Sequence, residues 1–324
     1  MKKQKIRFYA ALLCSSMVFS LVSTPVSAAE TGQLTNPPTS TEELSSPESI
    51  SGNEAASALN GLSVLAANGE AEVTTASELT GALADSSISR ITLKGDIDIG
   101  STLTVNRTVT LDLNGCVLKM TGSDSVIKVE ADGDLTIQDR NTTTQHKFNP
   151  HCKYLTWYID MWELDNGGSE IVSGGVITGG GGDQSNGGGV LVAGGTLVMA
   201  GGSIVGCSAM SRGGGVCNNG TFIMSDGMIK GCTSPDGQYA SGGGVRNSNQ
   251  FTMTGGMIGD PDNENDASHV YNTSSQETTL TISGNAKIYT DITNVGILNA
   301  DGGEIAGTMT NDTNRYGNRV GGGD

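Results

Sequence analysis

Short runs of alternating apolar and polar residues recur through the second half of the chain. Glycine pairs separate the runs, and glycine supplies backbone conformations that other residues resist. This alternation predicts half-buried strands joined by tight turns. One such repeat carries its apolar residues at Val190, Val192, Leu197, Met199 and Ile204.

The same pattern returns at nearly regular intervals. Three copies align well, beginning at Gly187, Gly213 and Gly242, a looser fourth contains Val270, and a fifth begins near Val295. The equivalent valines, from position 190 onward, follow one another at intervals of 26, 29, 25 and 25 residues. Repeats of this length are typical of a solenoid.

Three short strands per repeat and no helix predict an all-β fold, the parallel β-helix. Its coils stack at about 4.8 Å, the distance between paired strands. Like residues then form internal columns. The expected columns are Val190, Val216, Val245 and Val270; Leu197, Phe222, Phe251 and Leu280; and Met199, Met224, Met253 and Ile282.

Asparagine recurs two positions after the valine in three repeats, at Asn218, Asn247 and Asn272. Stacked amides can bond along such a column, so we interpret these residues as a structural ladder. The alternative is a set of catalytic amides.

The region upstream continues the strand pattern and begins with a helix signal. Thr75 and Glu78 form a capping box, and Leu79 and Leu83 lie one helical turn apart. We predict a short helix over residues 76–84 that covers the open end of the solenoid, because a first coil otherwise exposes its core and strand edges.

Composition removes several classes of protein. The 48 glycines among 324 residues lack a triplet period, which excludes collagen, and long helices disfavour so much glycine. The formal net charge of −16 disfavours nucleic acid as a partner.

The N-terminus has the pattern of a secretory signal peptide over residues 1–28. A basic start is followed by an apolar stretch from Phe8 and a small-residue cleavage site at Ala28. The apolar stretch is too short and too interrupted for the alternative, a membrane anchor. We therefore expect a secreted or extracellular protein, associated with the cell surface or with a membrane only through an anchor that the sequence does not identify.

The segment that follows, residues 29–72, is rich in Ser, Thr, Pro and Glu and poor in apolar residues. Such a composition cannot bury enough surface to fold, so we predict a disordered linker. Residues 73–324 form the predicted β-helix domain.

Two stretches carry a family resemblance. The unit Gly213–Cys232 and the segment Thr108–Asp139 resemble right-handed parallel β-helix surface and adhesin-like proteins of Gram-positive anaerobic bacteria, in the pectate-lyase-like superfamily. The resemblance covers roughly residues 73–310 and implies a right-handed solenoid. The superfamily contains lyases, glycoside hydrolases and adhesins, so fold alone does not settle function.

An insert at residues 141–168 breaks the repeat and concentrates the aromatic residues. Exposed rings stack on sugars, so we predict a glycan-binding platform on this insert. The alternative is a satellite core that packs the insert onto the solenoid. The residues concerned are Phe148, Tyr154, Trp157, Tyr158 and Trp162.

Metal sites have weaker signals. His146, His151 and Cys152 match no zinc spacing. An acidic run places oxygen ligands at alternate positions, which suits Ca²⁺, although it lacks the glycine and glutamate of an EF-hand. We predict no other cofactor, and a solvated loop is the alternative. The run is Asp260, Asp262, Glu264 and Asp266.

No catalytic residue can be assigned from the sequence. Paired carboxylates would serve a hydrolase, but aspartate is also an ordinary turn residue. The candidates are Asp96 with Asp98, and Asp132 with Asp134, with Asp112 and Asp139 nearby in sequence.

Five cysteines remain after the signal peptide, an odd number for a disulfide framework. Cys207 and Cys232 share one repeat position and should stack as buried free thiols, because paired strands hold their Cβ atoms beyond the usual disulfide range.

The sequence thus favours a secreted β-helix that acts as a binding, adhesion or structural module, with a glycan or surface polysaccharide as its partner. The alternative is a polysaccharide lyase or glycoside hydrolase that uses carboxylates on the outer face. No oligomeric state is predicted.

Overall fold

The computed structural model describes residues 69–153, 160–181, 186–210, 212–234, 242–263, 266–273 and 277–311. The predicted signal peptide and most of the predicted linker lie outside these residues. No helix in the described part of the chain is long and apolar enough to cross a membrane.

The described residues form one helix, α1 (Ala76–Ala84), and a series of strands. The strands before the insert are β1 (Glu70–Val73), β2 (Arg90–Leu93), β3 (Ile97–Ile99), β4 (Leu103–Val105), β5 (Thr108–Asp112), β6 (Val117–Met120), β7 (Ile127–Val129) and β8 (Asp134–Gln138). The insert contains β9 (Gln145–Lys153), β10 (Asp160–Leu164) and β11 (Glu170–Ser173). The strands after it are β12 (Val176–Thr178), β13 (Val190–Val192), β14 (Thr196–Val205), β15 (Val216–Asn218), β16 (Thr221–Lys230), β17 (Val245–Asn247), β18 (Gln250–Met253), β19 (Met257–Ile258), β20 (Val270–Asn272), β21 (Thr279–Ile288), β22 (Ile292–Asn294), β23 (Ile297–Ile305) and β24 (Met309–Asn311).

These strands build a coil with three faces. Face 1 is an eight-stranded sheet in the order β24-β22-β20-β17-β15-β13-β7-β4. A 13-stranded sheet supplies faces 2 and 3, because the long strands β14, β16, β21 and β23 bend from one face to the other. Face 2 also contains β1, β2, β5, β8 and β18, and face 3 also contains β3, β6, β12 and β19. Every pairing on the three faces is parallel, which confirms the prediction of an all-β parallel β-helix.

The predicted columns stand inside the coil in the expected register. Phe222 and Phe251, neighbours in one column, stack with ring centroids 4.5 Å apart and planes 8° from parallel. The start of the fifth copy was wrong: Ile292, rather than Val295, pairs with Val270. The sequence misplaced it because that coil is shorter than the preceding ones.

The asparagine column forms a continuous amide ladder that is buried from Asn218 to Asn294. Asn218 donates to Asn247 at 2.8 Å, Asn247 to Asn272 at 2.8 Å, and Asn272 to Asn294 at 2.7 Å, each through Nδ2 to Oδ1. Asn294 extends the ladder to Asn311 at 3.0 Å. The ladder is thus two coils longer than the sequence indicated.

We expect Asn247→Ala to destabilise the domain by about 2–4 kcal/mol, because an amide N–H of buried Asn218 and the amide oxygen of buried Asn272 lose their partner in the ladder. Asn299→Ala, at an exposed position on β23, is the control and should change little. Denaturant midpoints measure the stability of both variants. Equal midpoints would contradict a stabilising role for the ladder.

The predicted N-terminal cap is confirmed. Helix α1 begins after Thr75, whose Oγ1 accepts from the Glu78 N–H at 3.3 Å, while Glu78 Oε2 accepts from the Thr75 N–H at 3.1 Å. Leu79 and Leu83 are buried against the first coils. The helix therefore covers the apolar interior at this end.

A residue that the sequence analysis did not single out fastens this helix. Arg107 donates to the carbonyl oxygens of Ala82 at 2.8 Å, Leu83 at 3.0 Å and Ile88 at 2.5 Å. Two of these belong to the last turn of α1, where carbonyls have no partner within the helix. The guanidinium thus joins the cap to the coil that follows it.

We expect Arg107→Ala to lower stability by about 1–3 kcal/mol through the loss of these bonds. Amide hydrogen exchange in α1 should speed up more than exchange in the coils. The matched control is Arg90→Ala, which removes only a partly exposed ion pair with Glu70 and should cost less than about 1 kcal/mol. Uniform exchange changes in both variants would contradict this role.

The folded region begins slightly earlier than predicted. Strand β1 starts at Glu70, inside the segment assigned to the linker, and pairs in parallel with β2. Ala71 and Val73 are buried, so this strand adds an edge to face 2 beside the cap.

Cys116, Cys207, Cys217 and Cys232 are free thiols. Cys207 and Cys232 lie buried inside the coil, as predicted. Burial raises the pKa of Cys232 well above its usual value, so this thiol stays protonated and unreactive.

The insert is a small antiparallel sheet of three strands. Its order is β10-β9-β11, and it occupies residues 145–173, somewhat later than the predicted 141–168. It leaves the solenoid after β8 and rejoins it at β12.

Candidate functional site

The bend between faces 2 and 3 is lined with glycine in successive coils. Gly202, Gly227 and Gly256 have φ angles of +74°, +92° and +79°, a region that side chains with a Cβ rarely adopt. At Gly255, an added Cβ would lie 2.2 Å from the carbonyl oxygen of Ser225 in the preceding coil. Only glycine lets the coils approach here, and their bends line up into a depression.

We call this depression the bend groove. It has a volume of about 660 Å³ and crosses several coils. Its polar lining combines hydroxyls, an amide, carboxylates and one ammonium group. These groups belong to Asp139, Thr142, Ser173, Ser203, Ser225, Asp226, Thr254, Asn285 and Lys287.

Two opposite charges stand exposed in the groove. Asp226 lies on the bend of β16, and Lys287 lies on β21 beside Met257 of the adjacent coil. Oδ1 of Asp226 accepts from the Gly227 N–H at 2.8 Å, which fixes the carboxylate on the bend. A polar ligand in the groove could therefore meet both an acceptor and a cation.

The second carboxylate of the groove, Asp139, is bound by backbone N–H groups. Asp139 accepts from the N–H groups of Gly115 and Gly175, each at 2.7 Å, and of Asn141 at 3.3 Å. These bonds fix the point where the insert leaves and re-enters the coil. We therefore assign Asp139 a structural role.

The insert forms one wall of the groove. Thr142 precedes β9, and Ser173 ends β11; both are exposed and line the depression. The position of the insert on the solenoid consequently sets the width of the groove at this end.

A small second core holds the insert in place. Phe148 and Trp162 are at most 1% exposed, and their ring centroids lie 6.4 Å apart. They pack against outward-facing valines of the solenoid, at Val117, Val176 and Val205.

This burial corrects part of the predicted glycan platform. Phe148 and Trp162 present no ring face to solvent, so for these two residues the alternative, a satellite core, is correct. The other three members of the predicted platform, Tyr154, Trp157 and Tyr158, lie outside the described residues.

Trp162 packs against a glycine in each of two neighbouring coils, Gly206 and Gly231. A Cβ on Gly231 would lie 2.1 Å from Cγ of the indole, and one on Gly206 would lie 2.0 Å from the Trp162 carbonyl oxygen. Beside the indole, Nζ of Lys230 lies 4.3 Å from the ring centroid, in a cation–π contact.

Two members of the predicted calcium site, Asp260 and Asp266, lie close to the Lys230–Trp162 contact. Asp260 pairs with Lys230, with Oδ2 3.3 Å from Nζ, and Asp266 accepts from the N–H groups of Gly231 and Ser268. Asp260 and Asp266 are buried, so neither belongs to a solvated loop.

Burial raises the pKa of Asp266, against the lowering effect of its hydrogen bonds. Glu264 lies outside the described residues, and Asp262 is exposed at the surface of the loop. Within the described ranges, no three His, Cys, Asp or Glu residues are grouped to hold a metal ion. The calcium site stays a prediction with no support from the placement of Asp260 and Asp266.

The carboxylates considered for catalysis are dispersed. Asp112 is buried and bound by Arg140 and Gln138; burial works to raise its pKa, but these hydrogen bonds outweigh it and lower the pKa. Asp96 accepts from the Val117 N–H at 2.8 Å, and Asp134 from the Thr108 hydroxyl at 3.1 Å. These acids serve local structure.

The bend groove was not predicted from the sequence. Its signal was present in the glycine pairs that follow the methionine column, but these read as ordinary turns. What makes them a site is that the bends coincide on one side of the solenoid, and that depends on the register between coils.

Comparison with known proteins gives one family. Residues 70–173 match the family described as "Putative pectate lyase-like adhesive domain". The match spans the cap, the first coils and the insert, and it supports the resemblance to pectate-lyase-like β-helix proteins. Neither the curated proteins nor the solved structures contain a match to the chain.

We expect Trp162→Ala to detach the insert, because it empties the second core at a cost of about 3–5 kcal/mol. Limited proteolysis should then cleave within residues 141–173 while the coils stay intact. Ile171→Ala, at a side chain 51% exposed on the same insert, is the control. Resistance equal to that of the control would contradict the docking.

Proposed function

Since its first coils match a pectate lyase-like adhesive domain, we propose that this protein is a secreted or cell-surface adhesion module that binds glycans. The solenoid provides a rigid support, and the bend groove is the binding surface. The observation that carries the proposal is the alignment of polar side chains from consecutive coils in one open groove.

The chemistry of the groove suits sugars. A saccharide presents many hydroxyls, and the groove offers both donors and acceptors, among them Ser225, Thr254 and Asn285. The glycine floor allows a ligand to approach the backbone closely. A ligand with an acidic sugar could also pair with Lys287.

The charge of the chain limits the partner. Removing the signal peptide with its four basic residues leaves 14 basic and 34 acidic residues, a net charge of −20. Such a surface repels nucleic acids and anionic membranes. A neutral or mildly acidic glycan, drawn from host mucus or from a cell envelope, is the partner we propose.

The alternative is a polysaccharide lyase or glycoside hydrolase. One observation favours keeping it: the groove brings Asp226 and Lys287 to the same depression as Asp139. Asp139 is bound by three backbone amides, which leaves Asp226 as the exposed acid. Incubation with the same polysaccharides separates the two functions, because an adhesin releases no new reducing or unsaturated ends.

We expect Thr254→Trp to fill the groove and weaken glycan binding at least about tenfold, which corresponds to about 1.4 kcal/mol. The control is Thr104→Trp, which places the same bulk at an exposed position on face 1. Both variants should melt as the parent does.

A glycan array that includes neutral polysaccharides and polygalacturonate, followed by calorimetry on the hits, measures the effect. Equal loss in both variants, or no loss in Thr254→Trp, would exclude the bend groove as the binding surface. A failure of every glycan to bind the parent would reject the glycan function itself.

A further inference from the structure

Lys230 is a lysine withdrawn from solvent and directed at one carboxyl group. It ends β16 on the outer side of face 3, and its side chain is only 8% exposed; that of Asp260 is 6% exposed. Nζ lies 3.3 Å from Oδ2 of Asp260. Buried lysines and aspartates are rare, and a pair that excludes water must offset a large desolvation cost.

The insert provides the cover over this pair. The indole of Trp162 lies over Nζ, with 4.3 Å to the ring centroid, and it also closes over the bare corner at Gly231. Oδ2 of Asp260 accepts a hydrogen bond from this amine, so the indole and the carboxyl group enclose Nζ from two sides.

Two hydrogen bonds hold the carboxyl group of Asp260 in one orientation, with one oxygen bound to the backbone and the other facing Lys230. Oδ1 of Asp260 accepts from the Asp262 N–H at 3.0 Å, while Oδ2 faces the amine. A backbone N–H on one oxygen stabilises negative charge that develops there during attack on the carboxyl carbon. The second oxygen is free to leave toward the amine.

We propose that Lys230 and Asp260 condense into an intramolecular isopeptide bond. The Nζ lone pair attacks Cγ of Asp260, the Cγ–Oδ2 bond breaks, and Oδ2 departs as water with two protons that come from the lysine ammonium group. Oδ1 becomes the amide oxygen and keeps its bond from Asp262. The reaction needs no oxidant or other reagent.

The geometry of the site favours this reaction. The attacking and accepting groups are already in contact, which replaces an encounter in solution by a step within one molecule. Both side chains are almost fully buried beneath Trp162, so little bulk water competes with the amine for the carboxyl carbon.

The bond would join neighbouring coils covalently. It links β16 to the loop after β19 and closes a loop whose ends are 30 residues apart. A cross-link of this kind restricts the unfolded chain, as a disulfide does, but resists reduction. This cross-link is independent of the ligand in the bend groove.

Mass spectrometry of the purified full-length protein tests the proposal. We expect tryptic digestion to give one branched peptide that joins the segments around Lys230 and Asp260, lighter than their sum by one water. Recovery of these two segments as separate, unmodified peptides overturns the proposal. Loss of water without a branched peptide, as a cyclic imide at an Asp–Gly bond would give, also overturns it.

Variants test which side chains react. Lys230→Arg keeps the positive charge beside Trp162 but has no reactive amine, so the branched peptide should disappear. Lys287→Arg, at an exposed lysine of β21, is the matched control and should keep it. A branched peptide that survives Lys230→Arg overturns the assignment. If Lys230→Arg fails to fold, the digest of the parent protein still decides.

Discussion

The stacking of parallel strands in register is the constraint on which the structure depends. Each coil buries its apolar residues only because the next coil presents like residues at the distance of paired strands. The columns of valine, leucine or phenylalanine, and methionine follow from this repeat, and so does the amide ladder from Asn218 to Asn311. A solenoid built in this way needs a cover at its end, which helix α1 and Arg107 supply.

The same register creates the surfaces to which we assign function. Inside the coil it makes columns, and on the outside it aligns the glycine bends into one groove. Outward residues of neighbouring coils, including Val117, Val176 and Val205, likewise come together into an apolar surface on which the insert docks. The insert in turn forms a wall of the groove and covers Lys230. The proposed adhesion, the docking of the insert and the proposed cross-link thus depend on one repeat.

The sequence predicted the features that local periodicity records. Alternation by two marked the inward positions of each strand, and Thr75 with Glu78 marked the start of α1. It did not predict what distant segments do to one another. The burial of Trp162 depends on valines from three coils. Asp260 has the sequence context of a loop residue, and its burial follows from its pairing with Lys230 of the preceding coil. The bend groove was hidden because glycine pairs are also ordinary turn residues.

The central claim is that glycans bind along the bend groove. Hydrogen exchange with and without a bound polysaccharide tests it most directly. We expect ligand to slow the exchange of backbone amides at residues 225–228 and 254–257, with no change on face 1. Protection confined to residues 154–159 of the insert, or to face 1, would contradict it.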